Sequence, residues 1–193
     1  MSSKQLAPFV SLGALALEER QKDDFYATDP KNVDDLLEVV DVMKYVLEPS
    51  VGMGHIAKRL TERGHEVKAL DIVDRGYQNT TIMDFLEYQE PIDCDVVMNP
   101  PFKNAEAHVK HALDLMLDGQ YLCVFLKIQF LESKSRRVLF DQYKPERIYV
   151  YSERQRCYKD GDFSKTNKGS AMCYAWFIWK KGNHTEAPRI YWI

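Results

Sequence analysis

Asn99, Pro100, Pro101 and Phe102 follow directly on the apolar run Val96-Val97-Met98, and these four residue types have a chemistry in common. An asparagine amide oxygen and a neighbouring backbone carbonyl can accept the two hydrogen bonds that an exocyclic amino group donates. A phenylalanine ring can stack on the flat group that carries it. Each proline fixes φ near about −65° and has no N–H for a sheet, so the backbone after Asn99 is rigid and its carbonyls are free to face a ligand. The implied acceptor of such chemistry is a nitrogen. A strand closed by a proline-stiffened turn has the same sequence, so the surrounding elements must decide between the two readings.

Three apolar residues without polar alternation suit a parallel strand covered on both faces. Upstream, Asp24-Phe25-Tyr26-Ala27-Thr28-Asp29-Pro30 reads as a loop able to close over a ligand, or as the lead-in to a helix over residues 33–42 with Val33, Leu36, Leu37 and Val40 on one stripe. A strand over 45–47 stops at Glu48-Pro49. It is followed by Ser50-Val51-Gly52-Met53-Gly54-His55-Ile56-Ala57 and a helix to Arg63 stopped by Gly64. Strand, glycine turn and helix form the start of a Rossmann-like unit, in which Gly52 and Gly54 allow close approach of a ligand and Ala57 allows close packing. The strand over 66–72 carries Asp71 about 20 residues after Gly52, where an acidic side chain can accept both hydroxyls of a ribose. A strand over 80–83 ends at Asp84-Phe85, and the strand over 95–98 ends at Asn99. In an open parallel sheet these polar strand ends converge on one crevice.

Downstream, residues 103–117 predict an amphipathic helix with Ala105, Val109, Ala112, Leu113 and Met116 against the sheet. His108 and His111 lie three apart on it. No carboxylate or cysteine set completes a metal site with them, and a solvated helix face is expected. Residues 121–130 predict a central strand that brings Lys127 and Gln129 to the crevice edge, and residues 133–143 a helix. Strands over 148–151 and 171–179 flank a polar loop, residues 152–170. There Arg154, Arg156, Lys159, Lys165 and Lys168 interleave with Tyr158 and Phe163. Phosphate attraction and base stacking use such a mixture, and a solvated hairpin loop is the plainer alternative. Residues 188–193 read as an edge strand.

At 193 residues, 45% hydrophobic and 28% charged, the chain suits one soluble domain. Residues 1–24 are set apart as an extension with a helix over 9–20, and residues 25–193 as that single domain. No apolar run is long enough to cross a bilayer, and no signal peptide is expected, because Pro8 and Glu18-Glu19-Arg20 interrupt the N-terminal apolar patch. Cys94, Cys123, Cys157 and Cys173 form no Cys-x-x-Cys pair, which points to reduced thiols and a cytoplasmic location. The net charge of −3 is unevenly spread: residues 1–126 carry 22 acidic against 12 basic side chains, and residues 127–181 carry 13 basic against 6 acidic. The basic segment can face a polyanion while the acidic part faces elsewhere.

Taken together and in this order, Asp24-Phe25-Tyr26-Ala27-Thr28, Glu48-Pro49-Ser50-Val51-Gly52-Met53-Gly54, Asp71, Asp84-Phe85 and Asn99-Pro100-Pro101-Phe102 resemble the class I S-adenosylmethionine-dependent methyltransferases. Within that class they resemble the enzymes that modify exocyclic or amide nitrogens, including the N6-adenine DNA methyltransferases. The small size and the strand over 174–179 are similar to the short enzymes of bacteriophages and prophages. The resemblance implies an α/β, Rossmann-like class I methyltransferase fold: a mostly parallel twisted sheet, helices on both faces and an antiparallel strand near the C-terminus. It implies S-adenosyl-L-methionine as cofactor and no metal. Phe25, Tyr26 and Thr28 then hold the methionine part, and Glu48, Pro49, Ser50, Gly52 and Gly54 line it. Asp71, with Ile72 beside it, takes the ribose, and Asp84 and Phe85 meet the cofactor adenine. Asn99 lies between cofactor and target, sharing the target amino group with the Pro100 carbonyl, next to Pro101, while Phe102 stacks on the base. Lys127, Arg154, Arg156, Tyr158 and Lys159 are the expected substrate contacts. The expected reaction is methylation of adenine N6 in DNA with low sequence selectivity, since no large target-recognition domain accompanies the motifs. Methylation of RNA at adenine N6 or guanine N2, methylation of a protein glutamine amide, and a non-catalytic nucleotide- or DNA-binding module are the alternatives. A nicotinamide dehydrogenase would also use Gly52, Gly54 and Asp71, but it gives no reason for Asn99-Pro100-Pro101-Phe102.

Overall fold

The computed structural model describes residues 26–155, 157–159, 172–183 and 187–193. The helix expected over 9–20, Phe25 and Arg156 lie outside the described residues, as do Phe163, Lys165 and Lys168. The chain runs through β1 (Tyr26–Thr28), α1 (Pro30–Val39), β2 (Tyr45–Glu48), α2 (His55–Glu62), β3 (Glu66–Asp71) and β4 (Thr80–Ile82). It continues through β5 (Asp95–Met98), α3 (Ala105–Leu115), β6 (Tyr121–Lys127), α4 (Arg136–Gln142), β7 (Arg147–Val150), β8 (Cys157–Lys159), β9 (Tyr174–Lys180) and β10 (Arg189–Trp192). Eight of these strands form one sheet in the order β10-β7-β9-β6-β5-β2-β3-β4. All its pairings are parallel except the two made by β9, which runs against both β6 and β7.

Alternation along the strands explains the layers. Leu47, Val96, Met98, Leu122, Val124 and Phe177 pack with Val109, Ala112 and Leu113 of α3 and Leu139 of α4. Their neighbours Val46, Val97, Cys123, Phe125, Trp176 and Ile178 pack on the other face with Val33 and Leu36 of α1 and Ile56 and Leu60 of α2. Both faces are therefore covered, so the central strands read as unbroken apolar runs. Buried charges sit at the strand ends, and Asp95 is the one at the amino edge. Asp95 accepts the N–H of Met43 at 2.8 Å and that of Tyr121 at 2.7 Å, holding the segment before β2 and the start of β6 on either side of β5. Burial raises its pKa, and those two donors work against the shift.

Several boundaries differ from the sequence expectation for local reasons. The helix read over 33–42 begins at Pro30 and ends at Val39, because Pro30 takes the first turn and the Asp29 side chain accepts the Lys31 N–H at 3.0 Å. The helix read over 103–117 spans Ala105–Leu115. The strand read over 121–130 stops at Lys127, where the chain turns into a 3-10 helix, Ile128–Leu131, and the helix after it begins at Arg136. Two segments read as loops contain strands: Tyr26–Thr28 and Cys157–Lys159 pair antiparallel as a separate two-stranded ribbon. The edge strand expected over 188–193 is present as β10, parallel to β7. Among the described residues no helix is long and apolar enough to cross a membrane.

The chain builds outward in both directions from β2, whose neighbours are β3 and β5. At such a reversal of strand order the loops leaving the carboxyl ends diverge and a crevice opens between them. That crevice depends on the core beneath it. Phe125 is fully buried, and its ring lies 5.1 Å from that of Tyr174 with an interplanar angle of 3°. Phe125→Ala is expected to lower unfolding stability by about 3–5 kcal/mol through lost burial and the cavity left behind. In a urea titration this appears as a lower midpoint with an unchanged slope.

Candidate active site at the carboxyl edge of the sheet

The ends of β2, β3 and β5 and the turn after β4 contribute Glu48, Asp71, Asn99 and Asp84 to the lining of one crevice. The glycine turn between β2 and α2 is fixed by Asp71, whose Oδ2 accepts the Gly52 N–H at 2.7 Å while Oδ1 accepts the Val73 N–H at 3.0 Å. Gly52 and Gly54 adopt φ of +56° and +79°. A side chain at Gly54 would meet both that conformation and the Tyr77 ring, 2.1 Å from where a Cβ would stand. Ala57 has no exposed surface and packs with Val51 and Ala69, so helix and strand approach closely here. Ile72 projects from the end of β3 with 62% of its surface exposed, an apolar side chain at the crevice rim.

Glu48 is the unusual group. It is 1% exposed, and its Oε2 has no hydrogen-bond partner. Burial pushes its carboxyl well above the ordinary range, a backbone N–H from Ala57 opposes that shift, and the nearby Asp71 charge adds to it. Burial thus favours the neutral acid, and a cation brought beside the open oxygen would favour the charged form. Asp84 turns its Oδ1 back to accept the Leu86 N–H at 2.9 Å, capping the turn that buries Phe85.

Asn99 and Pro101 line the crevice from the end of β5, and Asn99 Nδ2 donates to Thr28 Oγ1 at 2.9 Å. Phe102 is half-buried beside this point. Its ring centroid is 6.4 Å from that of Tyr174, and Lys127 Nζ stands 4.1 Å from it. The Asn99–Phe102 turn thus bridges the crevice and an aromatic and basic shoulder formed by β6 and β9, where Lys127 and Tyr174 are register partners. β7 runs in the same direction as β6, so the segment after it leaves from this edge, with Arg154 exposed. Tyr26 pairs with Lys159, and Ala27 with Tyr158, in the β1–β8 ribbon, whose Ala27 and Thr28 line the crevice.

Some lining residues were not singled out from the sequence. His108, read as part of a solvated face, is only 6% exposed, lies against Phe85 with ring centroids 5.7 Å apart, and has Nδ1 3.1 Å from the Asn104 carbonyl. Burial lowers its pKa, and the Asn104 carbonyl works against that shift. His111 is half-buried, with Nε2 2.8 Å from the Tyr88 carbonyl. His55, Arg75 and Asn104 also line the crevice. Each lies within four residues after a feature already singled out, namely Gly54, Asp71 and the Pro100-Pro101 turn, and that proximity was the available signal. Cys94 and Cys123 offer no nucleophile, since burial pushes the first thiol up to about 11 and the second well above its usual range.

No protein-family model and no curated protein matches the sequence. Solved structures do match. A Listeria monocytogenes protein assigned as a class I S-adenosylmethionine-dependent methyltransferase superposes with a TM-score of 0.63 at 13% identity, over 92% of this chain and 68% of that one. The chain has the class I methyltransferase fold. A Vibrio vulnificus YJ016 protein assigned as the modification subunit of a type I restriction enzyme gives 0.61 at 14% identity, over 94% of this chain and half the length of that one. The magnesium protoporphyrin IX methyltransferase of Synechocystis PCC 6803, with S-adenosylmethionine bound, gives 0.52 at 14%, over 79% of each. In this fold the crevice described above lies at the reversal of strand order, where ligands bind in open α/β sheets.

Glu48→Gln tests the burial of that carboxylate. A raised folded-state pKa stabilises the fold below the unfolded value of about 4.3, and that contribution is lost as pH rises through the folded-state value. The glutamine variant is therefore expected to match the wild type near pH 4 and to melt several degrees higher at pH 8. A thermal-melt series over pH 4–8 measures it, and an unchanged gap at every pH would remove the carboxylate's titration as the cause.

Proposed function

We propose that the protein is an S-adenosylmethionine-dependent N-methyltransferase acting on an exocyclic amino nitrogen, with N6 of adenine in DNA as the target and little sequence selectivity. One observation carries the reading: Asn99, the group suited to hold an amino group, faces the same crevice as Glu48 and Asp71. The fold of the neighbouring structures supports it, as does the acidic character of the crevice.

The residues present fit the cofactor. Glu48, with an open buried oxygen, suits the α-ammonium group of the methionine half. Each Asp71 oxygen accepts one backbone N–H and keeps a lone pair for a ribose hydroxyl. Ile72 and Phe85 offer apolar surface to a base, and Asp84 an acceptor. A dinucleotide fits less well, because its pyrophosphate at the glycine turn would meet the acidic side chain of Asp71 and the buried Glu48 carboxyl.

When bound, S-adenosylmethionine supplies an electrophilic methyl group on a sulfonium. The acceptor nitrogen forms the new N–C bond as the C–S bond breaks, the electron pair stays on sulfur, and the nitrogen then releases a proton to solvent. The protein's part is positioning. Asn99 Oδ1 and the Pro100 carbonyl accept the two N–H bonds of the target amine, which directs its lone pair along the reaction line. Phe102 stacks on the base, which must leave its duplex stack at a cost of a few kcal/mol. Lys127, Arg154 and the further basic residues after β7 give the phosphates a positive path.

Transfer of labelled methyl to duplex DNA, single-stranded DNA, RNA and total protein, with nucleoside analysis of the product, tests the reading. N6-methyladenine in DNA is expected, and Asn99→Ala is expected to reduce turnover by about 10²–10³-fold, the loss typical of one preorganised hydrogen-bonding group, while still binding S-adenosylhomocysteine. Label only in RNA or protein would move the substrate. Binding without transfer to anything would reduce the protein to a binding module.

A further inference from the structure

Thr28 stands where two features of the site meet. Its side chain is 2% exposed, and its Oγ1 accepts Asn99 Nδ2 at 2.9 Å. Its backbone pairs with Cys157, as Ala27 does with Tyr158 and Tyr26 with Lys159, so the segment carrying Thr28 is stitched to the chain between β7 and β9. The two contacts lie on either side of one residue: one reaches the acceptor motif on β5, the other the basic segment leaving the sheet edge.

An asparagine amide has chemically opposite ends, an NH2 that only donates and an oxygen that only accepts. A target amino group donates, so it can be held only by the oxygen. An amide turned the other way would set N–H against N–H. A neighbour that takes up the NH2 end therefore decides whether the oxygen is presented. A threonine hydroxyl can donate or accept, and here it accepts from Asn99 Nδ2 at 2.9 Å and takes up the NH2 end.

We propose that Thr28 is a positioning residue that sets the Asn99 amide with its oxygen toward the amino acceptor, and that the β1–β8 ribbon ties this setting to the segment after β7. The inference rests on the methyltransferase reading above and assigns Thr28 a role different from holding the methionine part of the cofactor. It makes the basic segment more than an electrostatic path: its docking fixes the strand that fixes the amide.

The test compares Thr28→Val, which keeps the shape and removes the oxygen, with Thr28→Ser, which keeps the oxygen. For each full-length variant, calorimetry gives the Kd for S-adenosylhomocysteine, and single-turnover and steady-state methylation of an adenine-containing duplex oligonucleotide give the rate and KM. Thr28→Val is expected to lose about 10–100-fold in single-turnover rate, the range of about one to two lost oriented hydrogen bonds, with Kd for S-adenosylhomocysteine and KM within about twofold. Thr28→Ser is expected to restore the rate to within about threefold. A valine variant that binds S-adenosylhomocysteine tenfold more weakly but turns over normally once saturated would make Thr28 a cofactor contact and overturn the proposal. A serine variant no better than valine would assign the residue to packing and overturn it too. The ribbon is tested on the wild type by amide hydrogen exchange. Oligonucleotide binding is expected to slow exchange at residues 26–28 and 157–159 together, and slowing at 157–159 alone would overturn the coupling. Full activity in Asn99→Ala marks failure of the parent reading, whatever Thr28 does.

Discussion

Burying the Glu48 carboxylate at the end of β2, with one oxygen unanswered, is unfavourable on its own, and the rest of the site is arranged around that unfavourable term. The central strands must be apolar on both faces, so polar groups can collect only where the strands end. The reversal of order at β2 keeps those ends from being capped by a single crossover loop. Asp71 follows on the adjacent strand and adds a like charge that raises the Glu48 pKa further. Because Asp71 is tied to the Gly52 and Val73 amides, it cannot move away to relieve that repulsion. Two acidic side chains in one crevice, one of them held by backbone N–H groups, favour a ligand that brings a positive charge and hydroxyl groups and disfavour one that brings phosphates.

The second constraint is geometric. A three-residue strand such as β1 has too few ladder bonds to hold its place alone, and its partner β8 is equally short. What fixes Thr28 is the combination of that ribbon with the hydrogen bond to Asn99, made between residues 71 apart in sequence. Asn99 is thereby tied to a ribbon that is not part of the eight-stranded sheet. Pro100 and Pro101 make β5 end rigidly, the ribbon closes over that end, and the crevice acquires a wall from the other end of the chain.

This division explains what could be read from the sequence. The run Val96-Val97-Met98, the glycine turn and the acidic strand ends were legible, because burial on both faces and positive φ each restrict the residue types at single positions. The ribbon was not. Its pairing joins residues about 130 apart, and neither partner carries apolar alternation to mark a strand. His108 was misplaced for a different reason. It falls three residues after Ala105 and four before Ala112, on the buried stripe, but a polar side chain on that stripe was read as the edge of the solvated face. Periodicity was right, and residue type overrode it. At β6 the apolar run continues past Lys127 into a 3-10 turn, which an apolar pattern alone does not separate from strand.

The shoulder beside the crevice bears on which class of acceptor fits. Lys127 Nζ lies over the Phe102 ring at 4.1 Å, a contact worth roughly 0.5–2 kcal/mol. A flat group that stacks on Phe102 must use the opposite face or displace that ammonium. A nucleotide compensates for the displacement, since its own phosphate offers Lys127 a charge-assisted partner stronger than a ring face. A neutral glutamine amide brings neither an aromatic plane for Phe102 nor an anion for Lys127. Pairing an aromatic ring with a displaceable cation is therefore chemistry matched to a base carried on a phosphate backbone. Under the proposed methyltransferase reading, a nucleic-acid acceptor therefore suits this shoulder better than a protein one.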